Sequence, residues 1–250
     1  VTGPAAGPSI RYAARPRSIV VEARENRFLA RVRGVDGGPA FGAHVPNPGR
    51  MEELLVPGLT RGYVVPAAAP HRRTAWDLIA VRHGRTLVST DARVGNRLVA
   101  AALVAGILPG LPASPWRPEP RWGEGRFDFA WPATDHVPPR RLIEVKCSNL
   151  RVGRTALFPD APTERGARHA RVLAAAQRAG VTCTIIFVVQ RNDVDEFRPN
   201  GALDPSFADA LAEAGAAGVR VWAFTSRVAP GRLSWGRRIP VRLPSSTKRL

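Results

Sequence analysis

The chain has 250 residues, 37 basic against 20 acidic, for a net charge of +17 and an isoelectric point near 11.6. Its length suits one large domain or two small ones with a full core, and 44% hydrophobic with 23% charged residues is an ordinary globular composition. No apolar run reaches the ~18 residues of a membrane span, the opening VTGPAAGPSI lacks the apolar stretch of a signal peptide, and two cysteines (Cys147, Cys183) are too few for a disulfide framework or a structural zinc site. These features point to a reducing, cytoplasmic setting. The charge favours a polyanionic partner, nucleic acid before an anionic membrane, for which no amphipathic basic helix is present.

Residues 1–16 are Gly, Pro, Ala and Arg without periodicity and read as a disordered arm. From 17 to 90, six β-prone runs (SIVVEA, RFLARVR, AFGAHV, RGYVVPA, AWDLIAVR and RTLVST) are separated by turn residues such as Asp36-Gly37-Gly38. One helical turn is expected over 50–55. This order fits a compact β-barrel, either OB-like, a fold that often binds oligonucleotides, or SH3-like. Residues 91–243 change character. A helical period runs from Arg93 to Gly106, followed by a Pro-rich stretch, a strand over 126–131 and a strand over 141–150. A helix from Pro162 to Ala179, a continuous apolar strand over 181–190, a helix near 205–217 and a strand over 219–224 complete a mixed sheet with helices on its faces. Beyond Arg227 the chain is basic and free of acids, with a hairpin ending in IPVRL, and residues 244–250 read as a basic tail.

Arg supplies all but two of the basic residues, so the two lysines, Lys146 and Lys248, are informative: an ammonium is compact and titratable, and a guanidinium is not. A strand repeats every two residues, so Leu142, Glu144, Lys146 and Ser148 share one face and Ile143, Val145 and Cys147 take the other. If strand 126–131 pairs with it as a hairpin, Asp128 sits beside Glu144. Two carboxylates repel unless a cation joins them, and Mg²⁺ or Mn²⁺ takes carboxylate oxygens while keeping waters. Asp128, Glu144, the backbone carbonyl of Val145 and Lys146 then compose a phosphodiester-hydrolysing site. In it the metal activates a water, and Lys146 orients it or stabilises developing charge. The same pattern also reads as a strand-edge salt bridge between Glu144 and Lys146.

Beyond these patterns, the chain resembles the SfsA family, the sugar fermentation stimulation proteins. The matching segments are NRFLARV (26–32), HVPNPGRMEELLVPG (44–58), RFDFAW (126–131), RLIEVK (141–146), FPDAPTERGARH (158–169) and FVVQRNDVDEFRPN (187–200). The resemblance covers about 19–243. It implies an N-terminal OB-like β-barrel followed by an α/β domain of the PD-(D/E)XK restriction-endonuclease type, with Asp128, Glu144 and Lys146 in its acid, acid and lysine positions. Two departures stand out. Pro48 replaces a Thr found in enterobacterial members, and Cys147-Ser148-Asn149 replaces the more usual Ser-Val-Thr.

Further candidates surround this set. Glu119 offers another carboxylate or a solvated loop residue. Glu164, Arg165 and His169 lie at a helix start suited to phosphate, where Glu164 also complements the helix dipole. Gln190, at a strand end, reaches the metal water or caps the strand. Asn47 and Arg50 sit in a barrel loop, as base or phosphate contacts or as a structural turn. Arg72, Arg73 and the 227–242 arginines are phosphate-contact candidates or plain surface. Trp76, Trp122 and Trp131 read as packing residues, and the five histidines show no zinc-ligand spacing. Two functions follow: a Mg²⁺-dependent nuclease acting on DNA or RNA, with DNA the favoured partner, or a non-catalytic, sequence-tolerant DNA-binding protein. The oligomeric state is open, a homodimer included.

Overall fold

A computed structural model describes residues 7–68, 72–113 and 115–244. The first strand, β1 (Ser9–Arg11), pairs antiparallel with the last strand of the chain. This corrects the expectation of a disordered arm for residues 7–16; residues 1–6 lie outside the described residues, as do His71, Lys248 and nearly all of the basic tail.

Six strands follow: β2 (Arg17–Asn26), β3 (Leu29–Gly34), β4 (Phe41–His44), β5 (Arg61–Pro66), β6 (Trp76–His83) and β7 (Thr86–Ser89). Strand β2 pairs antiparallel with β3 and β5, β3 with β4, and β5 with β6. A parallel pairing of β4 with β6 closes the five strands into a barrel, and β7 is added to β6 as a hairpin. Parallel closure by the third and fifth strands is the OB arrangement, and it decides against the SH3-like option. Alternating apolar residues fill the interior: Ile19 and Val21, Ala30 and Val32, Leu78 and Ala80 are buried.

The helix expected at 50–55 is a single turn, closed by the Leu55 N–H to Met51 C=O bond (3.0 Å). Met51 is buried with a left-handed φ of 48°. Its conformation is held from the second domain: Asp160 Oδ2 accepts from the Met51 N–H at 2.7 Å, and Asn149 Nδ2 lies 3.2 Å from Met51 Sδ.

The second domain contains α1 (Val94–Val104), β8 (Arg117–Pro118), β9 (Arg121–Trp122), β10 (Gly125–Arg126), β11 (Phe129–Trp131), β12 (Arg141–Ser148), β13 (Leu150–Val152), β14 (Thr155–Phe158), α2 (Glu164–Arg178), β15 (Thr182–Val189), β16 (Glu196–Pro199), α3 (Pro205–Ala216), β17 (Arg220–Ala229) and β18 (Arg232–Ile239). Its main sheet runs β1-β18-β17-β15-β12-β11-β8. Strands β12, β15 and β17 are parallel, and β15 between them is buried over 183–189, as its unbroken apolar run requires. Helices α2 and α3 pack on one face with Leu142, Phe187 and Phe127; α1 packs on the other with Phe129, Ile143 and Val145.

Three strand expectations are corrected. The run 126–131 is broken at Phe127-Asp128, so Phe127 packs toward α2 while Phe129 and Trp131 pack toward α1. The run 141–150 ends at Ser148, and a three-stranded sheet β13-β14-β16 follows, its hairpin turning at Gly153. The C-terminal hairpin is β17–β18 and ends at Ile239, with only an isolated bridge from Val241 to Phe197 beyond.

The two domains are joined by polar contacts. Arg191 is fully buried and holds Asp193 through Nε at 2.6 Å and Nη2 at 2.8 Å. It also donates to the Asn149 C=O at 3.0 Å and meets His83 Nδ1 of the barrel at 3.1 Å. Gln190 Nε2 donates to the Asp91 C=O and to Ser89 Oγ.

Candidate active site

The break at Asp128 builds the site. The β11–β12 register pairs Phe129 with Ile143, and Asp128 stands one residue before it, where the ladder stops. Instead of continuing the ladder, Asp128 uses its side chain as the partner strand. Its N–H donates to the Ile143 C=O, and its Oδ2 accepts the Val145 N–H at 2.6 Å. A strand residue's N–H and C=O point to the same edge, so the Val145 carbonyl faces the same open edge.

Asp128 Oδ1 accepts from Asn96 Nδ2 at 2.5 Å. Asn96 reaches it because Gly95 lets α1 approach β12; a Cβ there would lie 2.3 Å from Cys147 Sγ. Cys147 in turn donates to the Ala92 C=O.

Glu144 is 4% exposed. Both of its donors, Lys146 Nζ and His169 Nδ1 (2.8 Å), converge on Oε1, and Oε2 bonds no described residue. The salt bridge read from the sequence therefore exists, and it leaves one carboxylate oxygen uncommitted. His169 is also 4% exposed and lies beside the Phe127 ring, 5.3 Å between centroids. Arg165 Nε donates to His169 Nε2 at 3.4 Å, which makes Nε2 the acceptor and Nδ1–H the donor to Glu144.

The two carboxyls are shifted in opposite directions. Burial, reinforced by the like charge of Glu144, pushes Asp128 up to about 6. Glu144 is also buried, but its bonds to His169 and Lys146 outweigh that and hold it below the usual carboxylate range. A divalent cation held by both would relieve the repulsion. Two carboxylates, one free oxygen on Glu144 and an edge carbonyl are hard oxygen donors of the kind Mg²⁺ or Ca²⁺ takes. Among the described residues no group of three or more His, Cys, Asp or Glu side chains is arranged for a metal, so waters would complete the shell.

The other candidates divide. Asn47 is buried, accepts the Gly49 N–H on Oδ1 at 2.9 Å, and lines a cavity shared with Lys146 and Asn96. Arg165 stands on His169 at the site, and Arg50 is exposed next to that cavity's Gly49. His169 is corrected from a surface phosphate contact to a buried partner of Glu144. Arg72 is spent on Asp77 at 2.9 Å, and Arg73 is exposed on the barrel. Glu119 pairs with Arg126 on the surface, although its N–H reaches the Asp128 C=O. Glu164 is exposed in the first turn of α2. Gln190 is buried in the domain contact and does not join the site. Trp131 is buried, and Trp76 and Trp122 pack against the cores, as expected.

Sequence reasoning missed Asn96, whose role depends on a glycine beside it, and the arginines Arg27 and Arg97. Neither of these arginines forms an ion pair with a described residue, and they lie on the cavity wall and next to Asn96. Most acids are neutralised elsewhere, as in Arg154–Asp195–Arg237, Arg178–Glu213 and Arg33–Glu22.

Comparison with known proteins agrees with this two-part layout. The family model described as "SfsA N-terminal OB domain" matches residues 23–90, and the "Sugar fermentation stimulation protein RE domain" matches 93–232. The chain belongs to the SfsA family. The sugar fermentation stimulation protein homologues of Moorella thermoacetica and Symbiobacterium thermophilum are each 40% identical to it, covering 84% and 88% of this chain and 90% and 92% of their own. The structure of Pyrococcus furiosus SfsA in complex with Ca²⁺ superposes with a TM-score of 0.82 at 27% identity, over 93% of this chain and 98% of that one. The SfsA fold thus accounts for both halves, an OB domain followed by a mixed α/β domain. No described helix is long and apolar enough to cross a membrane.

Proposed function

We propose that this SfsA protein binds nucleic acid, DNA in preference to RNA, and hydrolyses its phosphodiester bonds at Asp128, Glu144 and Lys146 with a divalent metal, Mg²⁺ or Mn²⁺. The observation that carries the reading is the pair of acids at the end of the β11–β12 ladder: Asp128, bonded to the Val145 N–H and raised to about 6 by burial and the charge of Glu144, and Glu144, lowered and bonded by a lysine. The Ca²⁺ complex of the Pyrococcus furiosus relative supports a divalent ion in this fold.

Asp128, Glu144 and the Val145 carbonyl would hold the metal, which supplies Lewis acidity to the phosphoryl oxygens and lowers the pKa of a water. The chain's own groups do the rest. Asn96 and the Val145 N–H fix the Asp128 carboxylate, and His169 fixes Glu144. Lys146, anchored on Glu144 Oε1, would orient water or stabilise charge on the phosphate. Arg27, Arg97 and Arg165 draw the polyanion to this face.

The test is cleavage of labelled linear DNA, single-stranded DNA and RNA with Mg²⁺ or Mn²⁺ by wild type, Asp128→Ala and Lys146→Ala. Metal-dependent cleavage by wild type alone supports the reading; equal cleavage by all three removes it. The second reading, a DNA binder without turnover, is favoured by the short donor set of two carboxylates, and it predicts salt-steep binding with no metal-dependent cleavage.

A further inference from the structure

A cavity of about 320 Å³ lies between the barrel loop around Asn47–Gly49 and the segment from Phe158 to Thr163, with Lys146 and Asn96 at one end. We propose that it receives the base of one unpaired nucleotide, so that the preferred ligand is single-stranded or frayed nucleic acid rather than intact duplex. Placing the neighbouring phosphate at Lys146 rests on the hydrolytic reading above; the base pocket itself does not.

Size comes first. The cavity is at the small end of ligand pockets, which run from about 300 Å³ upward, and it admits a single nucleoside but no duplex. Its walls then suit a base. Phe158 lines the cavity half-buried, and its ring is braced by Phe187 and Phe207 at centroid distances of 5.5 and 5.1 Å, so it is held in place. Pro159 and Pro162 extend that apolar wall. Aromatic and apolar walls of this kind accept any base face.

Two amides stand on the polar side, each half-used. Asn47 spends Oδ1 on the Gly49 N–H, and its Nδ2 bonds no described residue. Asn149 spends Nδ2 on Met51 Sδ, and its Oδ1 bonds no described residue. One open donor and one open acceptor match the edge of a nucleobase. Gly49 keeps this end open, since a Cβ would stand 2.9 Å from Asp160 Oδ2. Charge sets the direction of entry. Asp160 on the wall repels phosphate and can accept a base N–H, whereas Lys146 attracts phosphate. The base therefore points in, and the backbone stays at the lysine end.

The test uses the full chain in EDTA, with hydrolysis switched off. Its probes are a ten-nucleotide single strand carrying 2-aminopurine, the same sequence as a blunt duplex, and free dAMP as competitor. Wild type is expected to bind the single strand at least tenfold tighter than the duplex at equal salt, with the 2-aminopurine signal quenched by stacking. Phe158→Leu, which keeps bulk but removes the aromatic face, and Ala161→Leu, which fills the cavity, are each expected to weaken single-strand binding by about 5- to 100-fold. Duplex binding should change less than twofold. Equal wild-type affinity for strand and duplex, or a preference untouched by both substitutions, overturns the proposal. So does dAMP binding as tightly as the strand, which would make this a free-nucleotide site. A protein that never cleaves nucleic acid can still pass, so failure of the pocket and failure of the hydrolytic reading are separable.

Discussion

His169 Nδ1 lies 2.8 Å from Glu144 Oε1, and both side chains are almost wholly out of solvent. The bond fixes which oxygen of Glu144 remains open. Histidine to alanine should therefore release the carboxylate rather than unfold the domain. We expect His169→Ala to weaken Mn²⁺ binding by about 10- to 100-fold, the usual cost of losing a group that orients a ligand. Asparagine carries its N–H near the Nδ1 position, so His169→Asn should recover much of that affinity and His169→Gln should not. Calorimetric Mn²⁺ titration of the three variants decides it.

Asp128 gives the pH dependence. Its folded pKa, raised to about 6, exceeds the ordinary value of 3.8, so the folded state holds this proton more tightly than the unfolded chain does. Its stabilising contribution is complete below about 4 and is lost as pH rises through about 6. A metal competes with the same proton, so its affinity should climb up to about pH 6 and level off above. Asp128→Asn removes a buried charge facing Glu144, and Asn96 can turn its amide to suit. The metal-free variant should be more stable than wild type at pH 7.5, by about 1–3 kcal/mol, while losing metal binding. Thermal melts at pH 4 and 7.5 with and without Mn²⁺ read both effects.

What the sequence made legible follows from period and length. Strands β2 and β3 of the barrel alternate over enough residues to be read, and the parity of β12 puts Glu144 and Lys146 on one face. Strand β1, three residues long, is too short to show a period. The break at Asp128 was hidden because a side chain replaces the ladder partner of Val145, which no alternation records. Arg191 reads as surface by type, yet it is fully buried, because Asp193, Asn149 and His83 satisfy it from three directions. His169 looked like an anion contact by its place near a helix start. Helical rotation turns it inward to Glu144, with Arg165 one turn earlier toward solvent.

Lys146 sits on a carboxylate in a half-buried position. Lys146→Ala should lower cleavage by about 10²–10³-fold, the cost of removing one preorganised charge-stabilising group, with little change in DNA affinity. Lys146→Arg should rescue poorly, because the planar guanidinium needs more room and does not present a point charge. Single-turnover rates at saturating protein separate the rate effect from binding.

Arg191 locks the two domains. Arg191→Met leaves Asp193 with only the longer Arg151 pair (3.5 Å) and the Asn149 carbonyl without its donor, and should cost about 3 kcal/mol. For a chain of this size that is roughly a 6–12 °C fall in Tm. A differential scanning trace should show the loss, and a split into two transitions would mark uncoupled domains.

Arg27, Arg97 and Arg165, which form no ion pair with a described residue, should act as phosphate contacts. Replacing Arg27, Arg97 and Arg165 together by Gln should flatten the slope of log K against log salt by about 3, near one per contact, for duplex and single strand alike. Arg178→Gln, whose partner is Glu213, should leave the slope unchanged.

Hydrolysis at this site requires one ion shared by Asp128 and Glu144. Anomalous diffraction from crystals soaked in Mn²⁺ above pH 7 tests it directly. The predicted result is a peak touching both carboxylates and the Val145 carbonyl, absent from Asp128→Asn crystals. A map with no peak there, or with Mn²⁺ bound only elsewhere, would contradict it.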